Sequence, residues 1–315
     1  MGDADAAERS WVPGADGSGF GIEHLPYGAV RRPGGELRPA ARIGDRALDL
    51  ALLSEEGLLG ADRVPPGSPP LDGVFERPTL NALLELGPPA WAALRRRLIE
   101  LLRAGGDELR SVPGLAERAL VPLAEVEAAV PVEIGEYVDF YSSLAHATNV
   151  GRLFRPDDPL TPNWRHHPVG YHGRAGTVVV SGPPVRRPLG QGPPQGPGEP
   201  PSFGPERLLD FELELGFVTG PGPAGGGPIA PDAAGEHIFG FALVNDWSAR
   251  SVQRWESQPL GPFLAKSFAT SIAPWITRWR RSSPSASPGP SRSPSPWSTC
   301  VQVSHGRSTS PSRWR

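Results

Sequence analysis

The chain has 315 residues, room for one large domain or two medium ones, and its 38% hydrophobic content with 39 glycines and 40 prolines favours β structure and turns over helix bundles. A formal charge of −3 argues against a nucleic-acid or anionic-membrane partner, and a single cysteine, Cys300, excludes an intrachain disulfide and a cysteine-based zinc cluster. No apolar run approaches the ~18 residues of a membrane span.

The opening "MGDADAAERSW" is acidic and has no apolar centre, so it does not read as a signal peptide, and Ala6 stands where a myristoylation pattern needs Ser or Thr. A cytoplasmic location is the expectation. After a loose lead-in to about residue 18, short apolar runs alternate with Gly and Pro turns. Ile22 to Val30 and Ala40 to Leu50 read as strands of a small β module. "ADRVPPGSPP", from Ala61 to Pro70, is a loop. "TLNALLELG" and "PAWAALRRRLIELLRAGG" carry helical spacing, with Trp91, Leu94, Leu98 and Leu101 or Leu102 on one face and Gly105-Gly106 as the stop.

A domain boundary is expected near residue 130. Beyond it, Thr177 to Ser181 reads as a strand, and "LGQGPPQGPGEPPSFGP" as a long ordered loop too rich in Pro and Gly for regular structure. "LLDFELELGFVTG" and "IFGFALVNDWSAR" are the clearest strands, the second running at Asn245-Asp246 into a loop or helix start. From Arg278 onward there are twelve Ser, seven Arg, six Pro, three Trp and no Asp, Glu or Lys. That segment carries +7, leaving 24 basic against 34 acidic residues in the body, a net −10. A basic low-complexity tail is one reading of 278–315. We expect instead an out-of-frame translation of a G+C-rich gene, an idea that fails if neither other frame gives a patterned, strand-forming continuation.

The chemistry-bearing residues begin in "DFYSSLAHATNVGRLFR", which packs Asp139, Tyr141, His146 and Arg155 into one short segment. A helical path from Asp139 to His146 would span two turns and point both the same way. Imidazole titrates near neutrality and can take a proton from water. In "DFELELGF", strand alternation puts Glu212 and Glu214 on one face, roughly 7 Å apart, and Phe211, Leu213 and Leu215 on the other, against a core. Solvated surface glutamates are the plain alternative. Asp246 ends an apolar strand, better placed for the mouth of a sheet than for a core. With Asp139 these make four carboxylates without matched Lys or Arg neighbours, a donor set for a hard cation such as Ca²⁺ or Mg²⁺. His166 and His167 are adjacent and point apart, which disfavours zinc. Lys266 sits among apolar residues and needs a carboxylate or an anionic substrate. Tyr141, Arg155 and Gln253 could bind a carboxylate-bearing substrate.

Five blocks in order, "DFYSSLAHATNVGRLFR", "PNWRHHPVGYHGRAGTVVVSG", "RLLDFELELGF", "HIFGFALVNDWSAR" and "PLGPFLAKSFATSIAPW", closely resemble the fumarylacetoacetase family of C–C bond hydrolases, from about Phe20 to Trp275. The resemblance implies a mainly β (α+β) fold: an N-terminal SH3-like barrel with helices over 1–130, a β-roll catalytic domain over 131–277, and assembly as a homodimer. It implies Ca²⁺ on Asp139, Glu212, Glu214 and Asp246, and Mg²⁺ near Asp246, Lys266 and Thr270. His146 matches the general base, Lys266 a catalytic position, and Tyr141, Arg155 and Gln253 substrate contacts. The expected reaction is hydrolysis of 4-fumarylacetoacetate, a small diketo acid. Ser257 stands where the family has a substrate-binding tyrosine. The family pattern continues beyond "SIAPWIT" and there supplies a Glu that orients the catalytic His and a Thr that contacts substrate. Without them this chain is expected to fold poorly and hydrolyse little. Alternatives left open are an inactive metal-binding remnant, a related β-keto acid hydrolase or decarboxylase, and a binding module using the basic tail.

Overall fold

The computed structural model describes residues 9–279 and, as a backbone strand, 301–305. The N-terminal part is a small antiparallel sheet of β1 (Tyr27–Arg31), β2 (Leu37–Ile43), β3 (Arg46–Asp49), β4 (Leu120–Pro122) and β5 (Glu127–Ala129). Ala40 to Leu50 is therefore not one strand. Gly44, at φ 56°, reverses the chain between β2 and β3, in a left-handed conformation that glycine adopts without strain. Ile22 lies in a turn ahead of β1.

Over this sheet pack α1 (Leu50–Glu55), α2 (Asn81–Glu85), α3 (Pro88–Leu102), α4 (Glu108–Ser111) and α5 (Leu115–Ala119). In α3 the expected stripe is the packed one: Trp91, Leu94, Leu98, Leu101 and Leu102 are all buried. The helix stops at Leu102, ahead of the glycines, because Arg103 turns extended. Arg95 and Arg97 are also buried, held by the carbonyls of Ile22, Glu23, His24 and Leu58 and by Glu108.

The second part extends the same sheet. It contributes β6 (Ile134–Phe140), β7 (Gly170–His172), β8 (Val178–Val180), β12 (Leu213–Thr219), β13 (Ile238–Asp246), β15 (Thr270–Ile272) and β16 (Trp275–Arg278), with α6 (Leu144–Phe154) and α7 (Arg250–Glu256) at its edge. Two short ladders stand apart: β9 (Leu189–Pro194) with β10 (Pro201–Pro205), and β11 (Leu209–Asp210) with β14 (Ser248–Ala249). β16 pairs with both β1 and β13, joining the two parts into one mostly antiparallel mixed α/β architecture. The Pro- and Gly-rich stretch read as a loop is the β9–β10 hairpin. Each strand of a two-stranded ribbon has one unpaired edge, where a missing N–H costs no ladder bond, and a register shift interrupts the pairing at Pro201/Ser202.

β17 (Val301–His305) inserts between β12 and β6, parallel to the first and antiparallel to the second. The rest of the segment read as a basic tail, from Arg280 on, lies outside the described residues.

Candidate active site and metal centre

Strand parity builds the site. On β12 the residues Glu214, Gly216 and Val218 share a face, and Val218 is in the core. On β13 the matching face is Ala242, Val244 and Asp246, all buried. Glu214 sits directly opposite Val244. Glu212 and Glu214 thus point inward, and the expectation that Phe211, Leu213 and Leu215 pack on a core is reversed: Phe211 is 63% exposed, Leu213 74% and Leu215 41%. Alternation specifies two faces but not which one is covered.

Asp139 arrives from β6, paired across the ladder with Tyr171 of β7, whose hydroxyl is near enough to favour its ionised form. Oxygens of Asp139, Glu214 and Asp246 all lie within 4.8 Å of one another. Burial, together with the charge of Asp246, pushes the Asp139 carboxyl above the usual range. Glu214 is pushed up to about 9, first by desolvation and then by Asp139, Asp246 and Glu212. Its Oε2 is buried without a partner among the described atoms. Two buried carboxylates and a half-buried one with an orphaned oxygen, and hard oxygen donors throughout, fit a hard divalent cation.

The fourth predicted ligand is differently engaged. Glu212 receives Lys266 Nζ at 2.6 Å and Arg250 Nη1 at 2.7 Å. These cations hold its carboxyl low against the effect of burial, which alone would raise it. Lys266, 1% exposed, also donates to Asp246 at 2.9 Å. Thr270, paired with Asp246 between β13 and β15, donates to it at 3.3 Å. The expectation of carboxylates without matched cations therefore fails. Asp246 has Lys266 and Arg174, whose Nη2 bonds both its oxygens at 3.0 and 3.1 Å, and Glu212 has Lys266 and Arg250. A protonated ammonium has no lone pair, so the Lys266 head is a charge partner rather than a ligand.

The His146 segment is likewise not one helix. Asp139 is on β6, the chain leaves strand after Phe140, and Ser143 caps α6 by accepting from the His146 backbone N–H. The His146 ring is exposed and meets Tyr141 edge-on, centroids 5.3 Å apart. Among the described residues no carboxylate hydrogen-bonds that ring. Burial raises the Tyr141 hydroxyl, partly offset by the charge of Arg155, which ends α6 and donates to the Pro159 carbonyl. Gln253, on α7, accepts from Arg250 at 2.9 Å, and Ser257 bonds back to the Gln253 carbonyl. Gln253, Arg250, Glu212, Lys266, Asp246, Thr270 and Arg174 therefore form one connected network. His146, Tyr141 and Arg155 form a second group, and no hydrogen bond or ion pair among the described residues joins it to the first.

Arg174, Tyr171, Arg250 and Glu206 were not singled out from sequence. Glu206, 3% exposed, accepts the backbone N–H groups of Leu208, Ser251 and Val252 and so anchors the start of α7, which carries Arg250 and Gln253. The one positional signal is in "NDWSAR", where Arg250 follows closely on Asp246 at a strand end; "YHGR" has no acid beside it.

The family model described as fumarylacetoacetase N-terminal matches residues 23–131, and that described as fumarylacetoacetate (FAA) hydrolase C-terminal matches 136–287, twelve residues beyond Trp275, where the resemblance read from sequence ends. Fumarylacetoacetase of Oryza sativa subsp. japonica is 45% identical over 302 residues, 94% of this chain and 69% of that one. Those of Bos taurus and Homo sapiens are 47% and 46% identical, each over 91% of this chain and 67% of theirs. Among solved structures, a fumarylacetoacetate hydrolase from psychrophilic Exiguobacterium antarcticum aligns over 81% of this chain and 66% of its own, at 14% identity and a TM-score of 0.44. The chain spans about two thirds of the length of the curated relatives it matches. With both halves matched in order, at identities of 45% and more over nine tenths of its residues, the chain belongs to the fumarylacetoacetase family.

Proposed function

We propose that this site hydrolyses the C–C bond of 4-fumarylacetoacetate to fumarate and acetoacetate, the last step of tyrosine and phenylalanine catabolism, in the cytoplasm. The observation that carries the reading is the cluster of buried Asp139 and Asp246 with half-buried Glu214, within 4.8 Å of one another and bordered by the Lys266 ammonium, in a chain of this family. Those three carboxylates would hold a hard cation, Ca²⁺ or Mg²⁺, with Glu212 joining on release of one of its cationic partners and Thr270 at the margin. When bound, the cation supplies Lewis acidity to a diketone carbonyl.

The chain's own groups supply the rest. Arg155, Tyr141 and Gln253 orient the acid end of the substrate. A ring nitrogen of His146 takes a proton from water as the oxygen adds to the carbonyl. The C–C bond then breaks, its electron pair passing to the acetoacetate fragment as an enolate beside the Lys266 ammonium. The imidazolium returns the proton to that carbon. Because no described carboxylate orients the His146 ring, we propose a slow catalyst, since an unanchored imidazole spends less time in the productive orientation.

The test is fumarate release from fumarylacetoacetate by the purified 315-residue chain with Ca²⁺ and Mg²⁺. We expect turnover above the buffer blank, well below that of a full-length relative, and reduced by about 10²-fold or more in His146→Ala. No fumarate above the blank, or turnover indifferent to His146→Ala, would overturn the reading. Ca²⁺ binding without turnover would leave a metal-binding remnant.

We divide the chain near residue 130 into an SH3-like barrel and a β-roll, and assign it a homodimer. The support for the dimer is the bare apolar face of β12 and β13, where Leu213, Leu215 and Leu243 stand exposed with Phe211 beside them. Sedimentation should show a dimer that Leu215→Lys converts to monomer. A monomeric parent chain would end that assignment.

A further inference from the structure

Arg174 lies on the turn between β7 and β8, in the stretch "YHGR". β7 and the connection after it bring two groups to the acidic cluster: the Tyr171 side chain, from the strand, beside Asp139, and the Arg174 guanidinium on Asp246. Gly173 fixes the path of that connection, because a Cβ there would stand 2.1 Å from the Tyr137 ring. The guanidinium packs between Tyr137 and Tyr171, its Cζ 5.8 and 5.6 Å from their ring centroids.

The lone pairs of Asp246 are fully subscribed. Oδ1 accepts from Arg174 Nη2 at 3.0 Å and Thr270 at 3.3 Å, and Oδ2 from Arg174 Nη2 at 3.1 Å and Lys266 at 2.9 Å. A carboxylate offers about four such sites. A cation that takes Asp246 as a ligand must therefore displace a donor. Thr270 is fixed opposite Asp246 by strand register, and Lys266 is tied down a second time by Glu212. Arg174, for all its packing on the two rings, has the weakest other hydrogen bonds. Its Nε reaches the Lys266 carbonyl only at 3.4 Å, and its Nη1 is buried with no partner among the described atoms.

We propose that Arg174 is the resident counter-cation of this site, a positioning residue that occupies the divalent ion's place on Asp246, so that ion binding is an exchange against it. This rests on the reading of Asp139, Glu214 and Asp246 as cation ligands. The exchange keeps the buried acids neutralised in both states and sets the affinity below what the bare carboxylates would give. A purely supporting role makes the opposite prediction, since removing a group that orients a ligand weakens the metal by about 10–100-fold.

The test is calorimetric titration of Ca²⁺ into the metal-stripped full chain at about pH 7.5 in roughly 0.1 M salt. Arg174→Gln is expected to bind Ca²⁺ about tenfold more tightly than the parent, ~1.4 kcal/mol. Arg174→Lys keeps the charge and should stay within about threefold of the parent, a split that a packing role would not produce. If Arg174→Gln does not melt cooperatively, Arg174→Met takes its place with the same expectation. Equal or weaker binding by the charge-removing variant overturns the proposal while leaving the cation site intact. Absence of Ca²⁺ binding in parent and variant alike removes both the site and the proposal.

Discussion

Glu214→Gln is expected to raise the melting temperature of the ion-free chain at pH 8 and to abolish its stabilisation by Ca²⁺. In the folded chain the Glu214 carboxyl is pushed up to about 9 from an ordinary 4.5, chiefly by burial and then by Asp139, Asp246 and Glu212. Between those two values the folded chain holds a proton that the unfolded chain has released. Stability contributed by this group is therefore complete below pH 4.5 and declines as pH rises towards 9. Each pH unit in that window costs ~1.4 kcal/mol at most, so a neutral isostere should gain on the order of a few kcal/mol at pH 8 and nothing near pH 4. Asp139 is shifted the same way, so the pH dependence of the variant shrinks without vanishing. Gln is also a poor substitute for a charged oxygen ligand, hence the loss of the Ca²⁺ response. Melting curves of both proteins from pH 4 to 8.5, with EDTA or Ca²⁺, decide the matter. Parallel pH profiles would mean that Glu214 is solvated and ionised.

A group that destabilises the chain on which it stands is the usual mark of a site that awaits a ligand, and this bears on what could be read in advance. The stripe of α3 was legible because a helical period names its own buried face: Trp91, Leu94 and Leu98 are packed, and so are both of the alternatives, Leu101 and Leu102. The β12 strand was legible as a strand but not as to side. Alternating acid and apolar residues normally mean apolar-in, and here a polar cluster is buried on one face while Leu213 and Leu215 are left for another surface. The α6 start had a local signal in Ser143, whose capping bond separates Asp139 on its strand from His146 on its helix. The electrostatics had almost none, beyond Arg250 following closely on Asp246. Arg174 meets Asp246 across 72 residues and Arg250 meets Asp210 and Glu212 across 40 and 38, so the cations that balance the cluster appear only once the sheet brings them there.

Lys266→Met should be the most damaging single change at the site. Its ammonium is 1% exposed and bridges Glu212 at 2.6 Å and Asp246 at 2.9 Å, the second carboxylate itself only 2% exposed. Methionine fills nearly the same volume, so a cavity does not explain the expected loss. What remains is a buried charge stripped of one partner, with Asp246 left to Arg174 and Thr270 and Glu212 left to Arg250. Breaking a buried pair in this way costs about 3–5 kcal/mol. The cost should fall when the charge left behind is removed as well: Asp246→Asn combined with Lys266→Met is expected to recover about 1–3 kcal/mol relative to the sum of the single changes. Ca²⁺ should also stabilise Lys266→Met more than the parent, because the ion then meets less positive charge. Denaturant unfolding in EDTA and in Ca²⁺ gives all three numbers. A Lys266→Met chain within about 0.5 kcal/mol of the parent, with additive double-variant energies, would show that Lys266 does not neutralise the cluster, and would remove the support for its proposed role beside an enolate.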